Sequence, residues 1–384
     1  MAGAAHQSPV TAPPTRPSSI VFERACPDDD ADIRCLFRDL PMGGQISISL
    51  ECEPNARLAL GVEGDRHYTI VAREQTTRRV VGIGSRAVWR VWVNGEPAKL
   101  GYLAQLRRVP GVRASRRLLA AGFAELDKTR LPDELRYDLT CIVADNSAAR
   151  RLLERGLKGL PRYAPLCEFT TLLIPVGRRP RRRPARVERG SDDLIPAIAD
   201  CLHRNLRQYQ FAPIWSEEDL NSPVRTRGLH PDDFFVVMEG NRVIACLARW
   251  DQRGFKHAVL RGYPPRLARW RPAVNIALTL AGRPRLPDPG QALNFAYLSH
   301  VAVEGDRHDL LVDLIEAARA DTTGTGIDYL LIGLASTNPM LPPIRRVFPG
   351  WAYPSILYVV HRELSEDSLR NLGGRITHVE LATL

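Results

Sequence analysis

Five arginines and one serine, packed between positions 107 and 117 of this 384-residue chain, are the side chains best suited to chemistry. Arg107, Arg108, Arg113, Arg116 and Arg117 surround Pro110 and Gly111, and Ser115 stands where it would cap a helix. Residues 100–106 read as an apolar strand leading into this turn. Leu118, Leu119, Gly122, Phe123 and Leu126 then fall on one face of a helix leading out. A helix start offers free N–H groups to an anion, and guanidinium forks add charge-assisted bonds. Strand, cationic turn and helix together read as a cradle for a diphosphate.

The unit occurs twice. Leu310, Leu311, Leu314, Ile315 and Ala318 repeat the same five offsets 192 residues later, and Tyr137 meets Tyr329 and Asn146 meets Asn338 at that same separation. Just upstream, Tyr102-Leu103-Ala104 corresponds to Tyr297-Leu298-Ser299 at a separation of 195, so the second turn is three residues shorter. A duplicated unit of this size predicts two similar domains.

The strand–turn–helix resembles the cofactor-binding segment of the GCN5-related N-acetyltransferase (GNAT) superfamily. There a loop of pattern Q/R-x-x-G-x-G/A holds the diphosphate of acetyl-CoA. Here Arg113, Ala114, Ser115, Arg116, Arg117 and Leu118 occupy the loop, keeping the leading arginine and losing both small positions. The resemblance implies an α/β (α+β) fold: two GNAT-like domains in tandem, each a mixed, mostly antiparallel twisted sheet flanked by helices. It implies acetyl-CoA (acyl-CoA) as co-substrate, lying where strands 100–106 and 136–143 part. Backbone at Leu106, Arg107 and Arg108 would pair with its pantetheine, and Arg113, Ala114, Ser115 and Arg116 would meet the diphosphate. Asn146 matches the family asparagine after the fifth strand. The catalytic acid would stand seven residues further on, but Leu153 there has no ionisable proton, so Tyr137 and Tyr163 are the nearby alternatives. For the base, Glu53 comes first and Glu51 second, with His67 and His300 as lone histidines; Gln105 can orient but cannot take a proton. The second turn carries Glu304, Asp306 and Asp309, which would repel a diphosphate, so the first domain is the expected binder.

The sequence divides accordingly. Residues 1–19 are small, polar and proline-rich and are expected to be disordered. Residues 20–176 form domain 1, 177–190 an Arg/Pro-rich linker and 191–384 domain 2, with an insertion at 253–289. Asn94-Gly95 marks a hairpin, and Gly240-Asn241 a second. Within the insertion, residues 272–281 form a short apolar stretch, weighed as a lid, a cleft roof or a membrane contact. The net charge is +10, of which the linker supplies +6. No aromatic residues interleave with the linker arginines, so a nucleic-acid partner is not expected. The seven cysteines are odd in number and scattered, without a C-x-x-C pair, which argues for reduced thiols in a cytoplasm and for no metal. No run is long enough to span a bilayer. Cysteine usage and the lack of a spanning run point to a cytoplasmic protein, and the resemblance implies an acyl-CoA-dependent N-acetyltransferase acting on a small-molecule or peptidyl amine. A non-catalytic acyl-CoA sensor is the competing reading, and pairing of sheet edges into a homodimer is left open.

Overall fold

The computed structural model describes residues 19–42, 46–112, 115–177 and 183–384. The tail 1–18 therefore lies outside the described residues, and so do Arg113 and Ala114.

β1 (Ile20–Arg24) is followed by α1 (Asp30–Asp39), which buries Ile33, Leu36 and Phe37 at helical spacing. β2 (Ser47–Glu51) and α2 (Ala56–Leu60), capped by Asn55, come next. β3 (Arg66–Glu74) and β4 (Val80–Val93) are buried along most of their length, as strands covered on both sides must be. Asn94 and Gly95, at φ +54° and +87°, turn β4 into β5 (Glu96–Arg108). α3 (Arg116–Asp127), β6 (Glu134–Val143), α4 (Ser147–Leu153) and β7 (Arg162–Pro175) complete the first half. The second half runs β8 (Val187–Arg189), α5 (Ile195–Leu206), α6 (Glu217–Leu220), β9 (Phe234–Glu239), β10 (Arg242–Trp250), β11 (His257–Gly262) and α7 (Pro265–Leu280). It ends with β12 (Phe295–Val303), α8 (His308–Thr322), β13 (Tyr329–Ala335), α9 (Leu341–Val347), β14 (Trp351–His361) and α10 (Glu366–Leu372).

Among the described residues, twelve strands make one sheet in the order β1-β3-β4-β5-β6-β14-β7-β13-β12-β10-β9-β8. Its two parallel contacts, β5 with β6 and β12 with β13, sit at matching places in the two halves. The centre is an exchange. Two self-contained tandem domains would each close with their own last strand, but β7 pairs with β14 and β13, while β14 pairs with β6. Each half is thus completed by the last strand of the other.

The described part of the arginine linker, residues 183–190, is bound to the second half. Residues 187–189 form edge strand β8. Arg183 and Arg189 pair with Asp321, and Arg186 pairs with Asp309 and Asp313, so these cations lie on the acidic side of α8. The insertion at 253–289 reaches back to the first half, because β11 pairs antiparallel with β2 as a separate two-stranded sheet.

Cores lie on both faces. On one, α1, α2 and α5 share a continuous apolar cluster with strands of both halves. On the other, α8 and α9 cover the second half, and α3 and α4 the first. The five repeated α8 residues are at most 1% exposed, whereas only Phe123 and Leu126 of the matching α3 face are buried. Between α3 and the sheet there remains an apolar cavity of about 70 Å³, lined by Phe22, Ile70, Val81, Leu106, Leu118 and Leu119 among others.

Candidate functional site

The site is built where β5 leaves β6. A buried ionic network ties the strands just before they separate. Arg86, on β4, reaches Glu134 at 2.7 Å and Asp138 at 2.9 Å, and Arg130 adds a second bond to Asp138. The guanidinium passes over Gly101, where a Cβ would lie 1.8 Å from Asp138 Oδ1. Pairing with β6 then ends at Tyr102 opposite Leu139, and Thr140 Oγ1 makes one last bond to the Leu103 carbonyl at 2.7 Å. Beyond it, β5 carries an extra residue against β4, between Ala104 and Arg107, and Gln105 takes a left-handed φ of +58°. A non-glycine residue held there is strained, and such strain is kept where the surrounding structure enforces it.

The second half repeats this construction. Pairing of β12 with β13 ends at Tyr297 opposite Leu331, and His300, the counterpart of Gln105, has φ +51°. Here, however, the gap is filled by the chain's own residues 376–384. Glu380 accepts the His300 N–H at 2.8 Å, and Leu381 packs so closely on Gly333 of β13 that a Cβ on that glycine would come within 2.9 Å. Burial pushes the Glu380 carboxyl up to about 7. In the first half, among the described residues, no side chain accepts from the Gln105 N–H.

Beside the point where β5 and β6 part is a buried polar cluster. Glu63 is 1% exposed; His67 Nε2 lies 3.2 Å from its Oε2, and Lys256 Nζ lies 3.8 Å from its Oε1. Both are ion-pair distances without hydrogen-bond alignment, so the carboxylate oxygens, His67 Nε2 and Lys256 Nζ are all under-satisfied. Burial disfavours the charged carboxylate, but His67, Lys256 and the Gln105 side chain hold its pKa below the usual carboxylate value. Cys52, Tyr102 and Tyr297 stand close enough to feel its charge. Three segments distant in sequence meet here: the turn after α2, the bulge of β5 and the insertion. A buried, incompletely paired cluster beside a cleft is where reactive groups are found.

The residues expected from sequence are distributed unevenly. Ser115 caps α3, accepting from the Leu118 N–H at 3.1 Å, and Arg116 is exposed at that helix start. Leu106 is half exposed, and the Arg108 guanidinium folds onto the carbonyls of its own turn. Asn146 uses its side-chain oxygen to cap α4. The Arg107 side chain is turned away from the turn. It lies over the Phe37 ring and donates to the Phe37 carbonyl at 3.1 Å, and burial lowers its pKa to about 10. Tyr137 and Tyr163 are packing residues in two different cores, and burial raises both phenols. Glu53 is tied to Arg34, and Glu51 to Arg261. His300 sits among Trp215, Phe234 and Trp250, where burial drives its pKa down to about 3. Sequence reading gave His67 no partner and passed over Glu63 and Lys256. No local spacing links those two, since only the β2–β11 pairing brings the insertion to the turn after α2.

This is the GCN5-related N-acetyltransferase fold, duplicated and interlocked through its exchanged strands. Among solved structures, N-myristoyltransferase of Saccharomyces cerevisiae with bound myristoyl-CoA aligns over 95% of this chain and 87% of its own, with a TM-score of 0.59 and 12% identity. A GCN5-related N-acetyltransferase from Sphaerobacter thermophilus aligns over 90% of this chain and 98% of its own, with a TM-score of 0.52 and 12% identity. At these identities the likeness is one of fold. No family model matches the sequence, and no curated protein does.

Proposed function

We propose that this chain is an acyl-CoA-dependent N-acyltransferase, with acetyl-CoA bound by the first half and the acceptor amine, small or peptidyl, presented from the cleft between the halves. The carrying observation is the difference between two equivalent strand partings: at one, Glu380 accepts the His300 N–H, whereas at the other, among the described residues, no side chain accepts from the Gln105 N–H. The Gln105 N–H would then face the thioester carbonyl and stabilise the oxygen as it becomes an anion. Ser115 and Arg116, with Arg113 and Ala114, would meet the diphosphate, and Leu106 and Arg108 would flank the pantetheine. The amine nitrogen attacks the carbonyl carbon, the amine proton passes to Glu63, held by His67 and Lys256, and the C–S bond breaks to release the CoA thiolate, which takes a proton from solvent. Glu63 takes the role first considered for Glu53, because the Glu53 carboxylate is engaged by Arg34.

One observation favours a longer acyl group: the apolar cavity under α3 is lined in part by Leu106 and Arg108, the residues proposed to flank the pantetheine. Turnover of acyl-CoAs of increasing length separates the two donors. The decisive experiment is a paired charge reversal. Arg113→Glu with Arg116→Glu should cut affinity for acetyl-CoA by about 100-fold, while Arg307→Glu at the second turn should leave it unchanged. Unaltered affinity in the double variant overturns the assignment of the binding half. Tight binding without thiol release on any amine would establish the sensor reading instead.

A further inference from the structure

Helix α7 is apolar on two sides but has no buried residue. Its inner side rests on its own return segment. Asn275 bonds both the N–H and the carbonyl of Leu286, and Tyr263 and Arg271 each donate to the Pro287 carbonyl at 2.9 Å. The helix is therefore fixed in place, and its outer side is a built surface. That side carries Trp270, Ala273, Ile276, Ala277 and Leu280 at helical spacing, with Trp270 63%, Ile276 64% and Leu280 85% exposed. No residue from 272 to 282 is charged. Arg266 and Arg269 are exposed at one end of the stripe and Arg285 at the other. The segment's one carboxylate, Asp288, is taken by Arg271.

An apolar helix in water needs a cover. We propose that α7 docks on the surface of an anionic phospholipid bilayer, with the Trp270–Ile276–Leu280 stripe in the acyl boundary and the arginines at both ends among the headgroup phosphates. Three observations lead to lipid rather than to another copy of the chain. Pairing two α7 helices about a two-fold axis sets Arg266 and Arg269 against Arg285 of the partner, with no acid to separate them. An anionic headgroup layer complements those cations, and long arginine side chains reach it while the stripe stays immersed. The sixteen-residue helix is also too short to cross a bilayer, and no helix among the described residues is long and apolar enough to do so, so the geometry is that of lying on the surface. The inference is independent of the acyltransferase reading.

Vesicle flotation of the full chain tests it, using phosphatidylcholine with ~30 mol% phosphatidylglycerol against phosphatidylcholine alone. The unaltered protein should float with the anionic vesicles and release at high salt. Trp270→Ser, Ile276→Ser and Leu280→Ser combined should weaken binding by about tenfold or more. Arg266→Glu with Arg269→Glu should abolish the preference for anionic lipid. All five side chains are exposed, and unchanged circular dichroism establishes that the variants fold. Absence of flotation at low salt, or equal flotation of the triple-serine variant, overturns the proposal. So does a dimer in light scattering that the triple variant dissolves without any vesicle binding, which would make a second copy the cover.

Discussion

At the scale of single residues, the proposed chemistry would fall to side chains that burial leaves under-satisfied. Glu63 has no well-aligned donor, although it sits between His67, Lys256 and Gln105. Glu63→Gln keeps the shape and removes the proton acceptor. It should lower kcat by about 100-fold and leave the calorimetric affinity for acetyl-CoA unchanged; a normal rate of thiol release would remove Glu63 from the mechanism. Glu380 gives a second prediction, in the pH dependence of stability. Its folded-state pKa is raised from 4.5 to about 7 by burial, so the folded chain holds that proton more tightly than the unfolded chain. Its contribution to stability is therefore lost as pH rises through that window. Urea midpoints measured between pH 5 and pH 8 should fall, and Glu380→Gln should flatten the slope whatever it does to the absolute stability.

At the scale of elements, a repeated helix face serves two purposes. The face on α8 is sealed against the sheet, with Leu314 fully buried, whereas the face on α3 borders a cavity. Leu314→Ala should cost ~2–5 kcal/mol of unfolding free energy, as buried leucine truncations do. Leu118→Ala, which only widens an existing gap, should cost under about 1 kcal/mol. Equal losses in chemical denaturation would mean that α3 is as firmly seated as its counterpart. The looser helix is the one behind the cationic turn, where a nucleotide would need room to enter. The two bulges follow the same logic, since Gln105 and His300 share a strained backbone but only His300 has its N–H taken by a carboxylate.

At the scale of the whole molecule, the exchange of β7 and β14 makes the halves inseparable. Both neighbours of β7 come from the second half, and β14 covers the edge of β6. Residues 19–177 expressed alone would expose a 14-residue unpaired strand and an open sheet edge. They should aggregate or remain unfolded, while the full chain should unfold in one cooperative transition. A monomeric, well-dispersed NMR spectrum from the isolated half would contradict this. The arrangement also carries residues 376–384 to the second parting of strands, where Glu380 accepts the His300 N–H.

The sequence by itself determined the local grammar: the helix faces at offsets that repeat after 192 residues, the Asn94-Gly95 hairpin, the strand entering a cationic turn, and the Tyr102–Tyr297 correspondence that locates both bulges. Each rests on periodicity or turn chemistry within a few residues, which a linear reading can see. Only the tertiary structure decided which strand closes which half, that Arg107 turns inward to Phe37, that linker arginines pair with α8, and that Glu63 meets Lys256. These depend on contacts between segments far apart in the chain. Burial and charge there are set by what the fold brings together, and no local spacing encodes that.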